Sequence, residues 1–332
     1  MFADPVFVRN PAAGALGGLQ TAAGMLLALA ALLFATRYGR PAVYALALLA
    51  VAEVFLFAKA ARVTFDLQAT KLPAVERILQ ENPGDYRILN LAAPNAATSL
   101  GAYDIWGYSW GMSLRYAEFM AFTQGLDPES ATQYLEFAGF NPLYRMLRLR
   151  YVFPPQESGT QVQEEAGYLP HLLLIQDARV IQGRDRIFSA MGGDFNPWTQ
   201  VILESPPRPL PISSDDKGSV RIVAASTDQL TIEAEVPSPS ILVITDGYST
   251  GWRAVALAGS VQRSYQVLPA NYILRAVPLE AGRHRLRLEY RPPAFVAGVW
   301  VSCKSVLIFL ALIVHDRKRA LKGAPPSIAG RI

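Results

Sequence analysis

One motif in the sequence has the spacing that carries the catalytic serine of α/β-hydrolases. It is the G-x-S-x-G run at 247–251, centred on Ser249 and preceded by the strand-like run SILVIT. In those enzymes a helix follows the serine, and an acid and a histidine come later in the chain. Here another strand-like run follows, and His284 lies within an alternating strand pattern. We therefore expect a turn between two strands with Trp252 in the apolar core, and an independent hydrolase is the least favoured of three functional interpretations.

A second group of residues has the composition of a carbohydrate-binding surface. Aromatic faces stack on the C–H faces of pyranose rings, while sugar hydroxyls need hydrogen-bonding side chains. The alternative stays open that these rings close the core or form a belt at a membrane surface. Both kinds of side chain occur in the run LGAYDIWGYSWGMSLRYAEF, whose candidate substrate-binding residues are Tyr103, Asp104, Trp106, Tyr108, Trp110 and Arg115.

The remaining residue types form no pattern typical of a metal or cofactor site. His171, His284 and His315 are far apart in the sequence and have no ligand set at metal-binding spacing. The Gly192-Gly193 pair indicates a turn better than a phosphate-binding loop. The sequence therefore predicts no metal ion and no cofactor, and no pair of carboxylates stands out as catalytic.

The elements that would position these residues are anchored by apolar segments. The chain is 51% hydrophobic and 17% charged, and its apolar residues concentrate in windows at 14–36, 42–60 and 294–314. Each window has about the 20 residues that a helix needs to cross a bilayer. The sequence thus predicts a two-helix transmembrane hairpin over 14–60 and a third transmembrane helix over 293–314. Gly14 and Gly18 form a small-xxx-small pair that permits close helix packing.

The basic residues indicate how these spans are oriented. Arg37 and Arg40 lie between the first two spans, and a basic tail at 315–332 follows the third. Basic loops stay on the cytoplasmic side, so the N-terminal segment 1–13 and the large region from 61 to 292 are predicted to be extracytoplasmic. The net charge of +4 therefore belongs to the membrane flanks and does not indicate a nucleic-acid partner. We expect a multi-pass protein of the bacterial inner (plasma) membrane.

Two ionisable residues lie within the predicted spans. Glu53 falls roughly 16 Å from the inner end of its span and Lys304 roughly 15 Å from the outer end of its span, so both lie close to the middle of the bilayer. A charge there costs about 2.5 to 3.5 kcal/mol, so an intramembrane pair that fixes helix docking is one interpretation. Contact with water, with lipid headgroups or with helices of a partner protein is the alternative.

The extracytoplasmic region reads as two domains. Residues 61–205 mix helical and strand-like runs, which predicts an α/β or α+β domain. A Pro-rich linker is predicted at 206–218, where the run SPPRPLPISSDDKG lies. Short alternating runs with turn residues between them follow, and they predict a C-terminal antiparallel β-sandwich over 219–292. Cys303 is the single cysteine, so no intrachain disulfide can form.

Several blocks of the sequence resemble the C-terminal part of the bacterial YfhO family of membrane proteins. They include RILNLAAPNAATSLGAYDIWGYSWGMSLRYAEF, YRMLRLRYVF, LPHLLLIQDARVI, ITDGYSTGWRAVALAG and ANYILRAVPLEAGRHRLRLEYRPPAFVAGVWVS, which together cover about residues 62–314. The resemblance implies a polytopic glycosyltransferase of the GT-C type that transfers a lipid-linked sugar to an acceptor in the cell envelope. Family members carry many more spans before this region, and their catalytic base is expected in an early loop. No catalytic residue can therefore be assigned here.

Two functional interpretations follow from the resemblance and from the residues together. The first is an extracytoplasmic module of a YfhO-like glycosyltransferase system that recognises a glycan, a lipid-linked sugar or an acceptor polymer. The second is a structural or assembly subunit that docks a polytopic membrane partner supplying the missing spans. Under either interpretation the chain is expected to be a fragment, a split gene product or a standalone binding module.

The predicted orientation can be tested by cysteine labelling in intact cells. In a Cys303→Ala background, a membrane-impermeant thiol reagent should modify a cysteine placed at Ser214 and should not modify one placed at Gly39. The reason is that Ser214 lies in the large outer region, whereas Gly39 lies in the basic turn between the first two spans. Modification of the Gly39 site from outside would overturn the orientation.

Overall fold

The computed structural model describes residues 5–61, 72–108, 111–155 and 161–322. The chain divides into two compact units, Met1–Lys71 and Leu72–Ile332. Three helices have segments long and apolar enough to cross a membrane: Leu19–Tyr38, Arg40–Lys59 and Pro293–His315. The prediction of three candidate spans is therefore confirmed.

The first unit is a helical hairpin. Helix α1 (Pro5–Ala35) and helix α2 (Arg40–Ala61) are joined by a short 3-10 turn at Thr36–Tyr38. Gly39 ends this turn with a φ of +155°, in the left-handed half of backbone space where glycine is favoured. Helix α1 begins at Pro5, so most of the predicted N-terminal segment 1–13 is helical, and residues 1–4 lie outside the described residues.

The second unit combines short helices with three β-sheets and ends in a long helix. Its helices are α3 (Pro73–Glu81), α4 (Leu114–Thr123), α5 (Arg184–Met191) and α6 (Pro293–Lys322). Its strands are β1 (Arg87–Asn90), β2 (Leu149–Phe153), β3 (Gln163–Glu164), β4 (Leu172–Ile175), β5 (Asp177–Val180), β6 (Gln200–Leu203), β7 (Ser219–Ala225), β8 (Gln229–Val236), β9 (Ser240–Gly247), β10 (Trp252–Ala256), β11 (Ser264–Tyr265), β12 (Leu268–Ala270), β13 (Leu274–Leu279) and β14 (Gly282–Tyr290).

The strands form one small sheet and two larger ones. The small sheet has the order β1-β2-β3, with β1 and β2 parallel. A six-stranded sheet has the order β4-β9-β13-β12-β6-β5, and a five-stranded sheet has the order β11-β10-β14-β8-β7. All pairs in these two larger sheets are antiparallel except β5 with β6.

The burial of the strands explains their sequence patterns. Strand β9 is buried on both faces: Ile241 and Val243 belong to one apolar cluster, and Leu242 and Ile244 belong to another. Such a strand reads as a continuous apolar run. Strand β14 alternates buried and more exposed residues because one face alone packs inward. The second cluster contains residues of both larger sheets, while the finer prediction of a β-sandwich stays a prediction.

The six-stranded sheet differs from the predicted division at 206–218. Strands β4, β5 and β6 precede that Pro-rich segment, and β9, β12 and β13 follow it, yet all six belong to one sheet. Residues 206–218 connect β6 of the six-stranded sheet to β7 of the five-stranded sheet, and the segments predicted as separate domains at 61–205 and 219–292 both contribute strands to the six-stranded sheet. The physical reason is that the amino-acid composition of a segment indicates whether it is polar and irregular. It does not indicate which strands before and after the segment pair with each other.

Strand β14 leads directly into helix α6, and a turn of the chain is bonded to this junction. The backbone N–H of Arg291 donates to the carbonyl of Gly251 at 2.7 Å. A Cβ atom at Gly251 would lie 2.7 Å from the ring of Tyr290 and 3.3 Å from the Cα atom of Pro292. Glycine is required there because the turn approaches the β14–α6 junction so closely. Residues 315–322 continue α6, so the first part of the predicted basic tail is helical, and 323–332 lie outside the described residues.

A pair of glycines offers a test of the β7–β8 geometry. Gly218 has a φ of +81°, and an added Cβ would lie 2.1 Å from the carbonyl oxygen of Glu235. Gly259 has a φ of +90°, with no atom within 4 Å of an added Cβ. Gly259→Ala should lower the free energy of unfolding by about 1 kcal/mol through backbone strain alone. Gly218→Ala should lower it further, because the backbone must also move. Equal losses for the two variants in denaturant unfolding would show that the close approach at Gly218 is absent.

Candidate functional site

A cavity of about 740 Å³ brings together residues that the sequence analysis singled out separately. Five of the six candidate substrate-binding residues line it, and so do Ser249 and Trp252 from the turn between β9 and β10. Trp110, the sixth candidate, lies outside the described residues. The predicted residues on the wall of this large cavity are Tyr103, Asp104, Trp106, Tyr108 and Arg115, and further wall residues include Arg87, Tyr248 and Tyr290.

The aromatic side chains of the cavity differ in exposure. Tyr103 is 70% exposed, and Tyr108 is 48% exposed with its ring centroid 5.7 Å from that of Tyr134, so both side chains present exposed surface to a ligand. Trp106 is only 5% exposed and packs edge-on against Phe137, with ring centroids 5.9 Å apart. For Trp106 the structure therefore favours the core role that was the alternative in the sequence analysis.

The segment that carries Tyr103 and Asp104 is held against β1 by its backbone. The N–H of Ile88 donates to the carbonyl of Tyr103, and the N–H of Ile105 donates to the carbonyl of Ile88, both at 2.8 Å. This pairing forms an isolated parallel bridge between Ile88 and Asp104. The cavity wall at Tyr103 is thus an extension of a sheet, which fixes the direction of its side chain.

Another part of the cavity wall is the turn that contains the G-x-S-x-G motif. The N–H of Gly251 donates to Ser249 Oγ at 3.3 Å, and strand β10 follows at once, as predicted for a turn between strands. Trp252 is half-buried, with the guanidinium of Arg275 3.8 Å above its ring. The expectation that Trp252 fills the apolar core is therefore wrong in part: its ring packs at the edge of the core and also lines the cavity.

Asp104 is a largely buried carboxyl group on the cavity wall. Its Oδ1 accepts from the N–H of Trp106 at 3.2 Å and from the N–H of Asn90 at 3.4 Å. Burial raises the pKa of Asp104 to about 7, and the backbone N–H donors counteract only part of that effect. The cavity therefore contains a carboxyl group that exists in both protonation states near neutral pH.

Arg115, at the start of α4, is already engaged by the protein. Its Nε donates to the carbonyl of Tyr272 at 2.8 Å, and its two terminal nitrogens bind the carboxylate of Glu204. The guanidinium also lies 4.2 Å from the ring centroid of Tyr272. Because Glu204 compensates its charge and these contacts fix its position, Arg115 contributes a rigid part of the cavity wall and not an unpaired positive charge.

Arg87 of the cavity wall belongs to a charged cluster that no sequence pattern predicted. We call it the Asp246 cluster, and it consists of Asp85, Arg87, Arg148, His171, Asp246 and Arg275. Asp246 accepts from Arg87 at 2.7 Å, from Arg148 at 3.0 Å and from His171 Nε2 at 2.9 Å, and it pairs with Arg275 at 3.2 Å. Burial would raise the pKa of Asp246, but the His171 hydrogen bond and the Arg87 charge hold it well below the usual range.

His171 bridges the two carboxylates of the cluster. Its Nδ1 lies 2.7 Å from Asp85 Oδ2, and its Nε2 lies 2.9 Å from Asp246 Oδ2. Burial alone would lower the pKa of His171, but the hydrogen bonds to Asp246 and Asp85 outweigh burial and raise it. The imidazolium form can donate to both carboxylates at once, which is why the folded state favours it.

One feature of the sequence is related to this cluster: some of its members lie at the ends of buried strands. Arg148 and His171 each come directly before a buried apolar strand, and Asp246 comes near the end of another. Charged residues at strand ends are common, so this signal gives no pairing without knowledge of the strand order. His284, by contrast, lies in β14 as expected, with its Nε2 2.8 Å from the carbonyl of Glu280 and its Nδ1 2.8 Å from the hydroxyl of Tyr265.

Three further residues singled out in the sequence lie on the helices α2 and α6. Glu53 lies on α2 and Lys304 on α6, and their pairing stays a prediction. Cys303 is exposed on α6. Among the residues that the structure describes, no group of three histidine, cysteine or acidic residues is placed to hold a metal ion.

Comparisons of the chain with protein-family models, with curated proteins and with solved structures found no match. The resemblance to the YfhO family therefore stays an expectation, and the function has to be argued from the site itself.

The protonation of His171 predicts a specific pH dependence of stability. A raised folded pKa means that the contribution of His171 is complete below about pH 6.5, the unfolded value, and is lost as the pH rises through the folded value. The free energy of unfolding should therefore fall from about pH 6.5 upwards in the wild type. This fall should be smaller in His171→Gln, as measured by denaturant unfolding at several pH values.

Asp104 supplies the control for this measurement. Its raised pKa gives a stability contribution that is also lost with rising pH, but between about 4 and its folded value of about 7. Asp104→Asn should therefore flatten the profile mainly between about pH 4 and 6.5 and leave the part of the fall that His171 causes above about pH 6.5. An unchanged profile above about pH 6.5 in His171→Gln would refute the bridging role of the imidazolium.

Proposed function

We propose that this chain is a membrane-anchored, extracytoplasmic module of a YfhO-like glycosyltransferase system. Its large cavity recognises a cell-envelope glycan, a lipid-linked sugar or an acceptor polymer. The anchor lies in the bacterial plasma membrane, with the basic end of α6 in the cytoplasm. The proposed role is recognition, because the resemblance assigns no catalytic residue to the part of the family that resembles residues 62–314.

The observation that carries this proposal is the chemistry of the cavity wall. Exposed rings of Tyr103 and Tyr108 lie beside the carboxyl group of Asp104 and the hydroxyl of Ser249 on one concave surface. Carbohydrate sites combine aromatic faces with a few oriented polar groups in this way. The volume of about 740 Å³ also falls within the range of roughly 300 to 1,000 Å³ that small-molecule sites occupy.

The position of the cavity supports a membrane-anchored role. Tyr290, the last residue of β14, lines the cavity, and α6 begins at Pro293. With α6 as a span, the cavity lies close to the outer membrane surface. A glycan attached to a lipid, or a polymer growing near the membrane, would meet the site there.

The second candidate function, an assembly subunit that docks a polytopic partner, is favoured by a different observation. Glu53 lies within the candidate span Arg40–Lys59, where an ionised carboxylate is costly unless it meets a partner. Lys304 of α6 or a residue of another membrane protein would satisfy it. The two candidate functions differ in ligand binding: glycan recognition requires a ligand in the large cavity, whereas an assembly subunit does not.

Glycan binding by the full chain in lipid nanodiscs tests the proposal. A glycan array should give hits, and Tyr108→Ala should weaken the binding of the best hit roughly tenfold through loss of a stacked ring. Trp198→Ala is the matched control, since Trp198 is also exposed, at 43%, and does not line the large cavity. Equal weakening by both variants, or an array without hits, would reject glycan recognition and leave the assembly role.

A further inference from the structure

A smaller cavity of about 310 Å³ also includes Tyr103 in its wall. Helix α3 contributes Glu76 and Gln80 to the wall, the turn before β1 contributes Gly84 and Tyr86, and the segment at 100–103 completes it.

The two cavities share part of their walls. Ala102 and Tyr103 line both of them. Tyr103 is 70% exposed, and the N–H of Ile88 donates to its carbonyl, so a fixed backbone carries an exposed ring at the boundary of both cavities. Aromatic rings bind sugars by stacking, so a side chain that lines both cavities can contact adjacent units of a linear ligand.

The walls of the small cavity are rigid and uncharged apart from one carboxylate. The hydroxyl of Tyr86 donates to the carbonyl of Asn82 at 2.5 Å, and its ring packs against Tyr151 with centroids 5.5 Å apart. Glu76 and Gln80 supply polar atoms from one face of α3. No cationic side chain is among its described lining residues, whereas the large cavity has Arg87 and Arg115. An anionic group would be repelled here, and a neutral hydroxyl-rich unit would find hydrogen-bonding partners.

We infer that the small cavity is a second subsite, which binds an uncharged sugar unit next to the unit held in the large cavity. The ligand is then a linear oligosaccharide or a polymer segment that passes over Tyr103, and a single sugar fills only half of the site. This inference rests on the proposed glycan recognition, and it adds the length of the ligand and the neutral character of one unit.

The length dependence of binding tests the inference. The probes are linear oligosaccharides of one to four units in three series, β-linked glucose, galactose and N-acetylglucosamine, titrated calorimetrically against the full chain in nanodiscs. In the series that binds, the affinity should rise about tenfold or more when the chain becomes long enough to cross Tyr103, and it should then level off. An affinity that does not depend on length would overturn the second subsite and leave glycan recognition intact. A complete lack of binding in all series at millimolar concentration would overturn both.

Variants on one helix separate the subsite from general effects. Gln80→Ala should weaken the longer oligosaccharide about fivefold, through the loss of a hydrogen bond, and leave the shortest binding unit unchanged. Arg77→Ala is the control, because Arg77 is exposed on the same helix and does not line the small cavity. Thermal unfolding of each variant checks that α3 remains folded. If Gln80→Ala and Arg77→Ala bind all lengths alike, the subsite is excluded.

Discussion

The convergence of cationic side chains on Asp246 is the constraint on which the rest of the second unit depends. Arg87 lies on β1 and Arg275 on β13, while Arg148 and His171 directly precede β2 and β4. These strands belong to two different sheets, and one carboxylate on β9 joins them. Removal of one partner from a buried ionic group leaves the other partners uncompensated, which costs about 3 to 5 kcal/mol in comparable cases. The buried charges therefore disfavour any placement of the two sheets that would separate Asp246 from its partners.

The cluster also determines the shape of the large cavity. Asp246 directly precedes the turn that forms one wall, and Arg275 Nε donates to the carbonyl of Gly247 at 3.0 Å. The guanidinium of the same Arg275 stacks on the ring of Trp252, and burial lowers the pKa of Arg275 to about 10. Arg87 reaches from the cluster to the cavity surface. A ligand would thus meet a wall whose position is set by buried charges, and such preorganisation reduces the entropy lost on binding.

Sequence patterns predicted those parts of this structure that depend on local periodicity. The apolar windows gave the candidate spans, the alternation in HRLRLEY gave β14, and the aromatic run gave five residues that share one cavity. The Asp246 cluster escaped prediction because its members are up to 190 residues apart in the chain, from Asp85 to Arg275, and no local pattern records their contact. The shared sheet across residues 206–218 escaped for the same reason, since strand pairing is a long-range property. The sequence also does not distinguish exposed from buried aromatic residues within this run. Tyr103 is 70% exposed, whereas Trp106 is 5% exposed and lies in the core.

The path from the cavity to the anchor runs through one strand. Strand β14 is the central strand of the five-stranded sheet, with β10 on one side and β8 on the other, so it is the strand least able to move independently. It ends at Tyr290, which lines the cavity. The N–H of the next residue, Arg291, donates to the carbonyl of Gly251 in the turn. Helix α6 begins two residues later. A displacement of α6 would therefore be transmitted to the cavity wall at Tyr290 and Gly251 through a short connection, whereas the wall residue Tyr103 is bonded to β1.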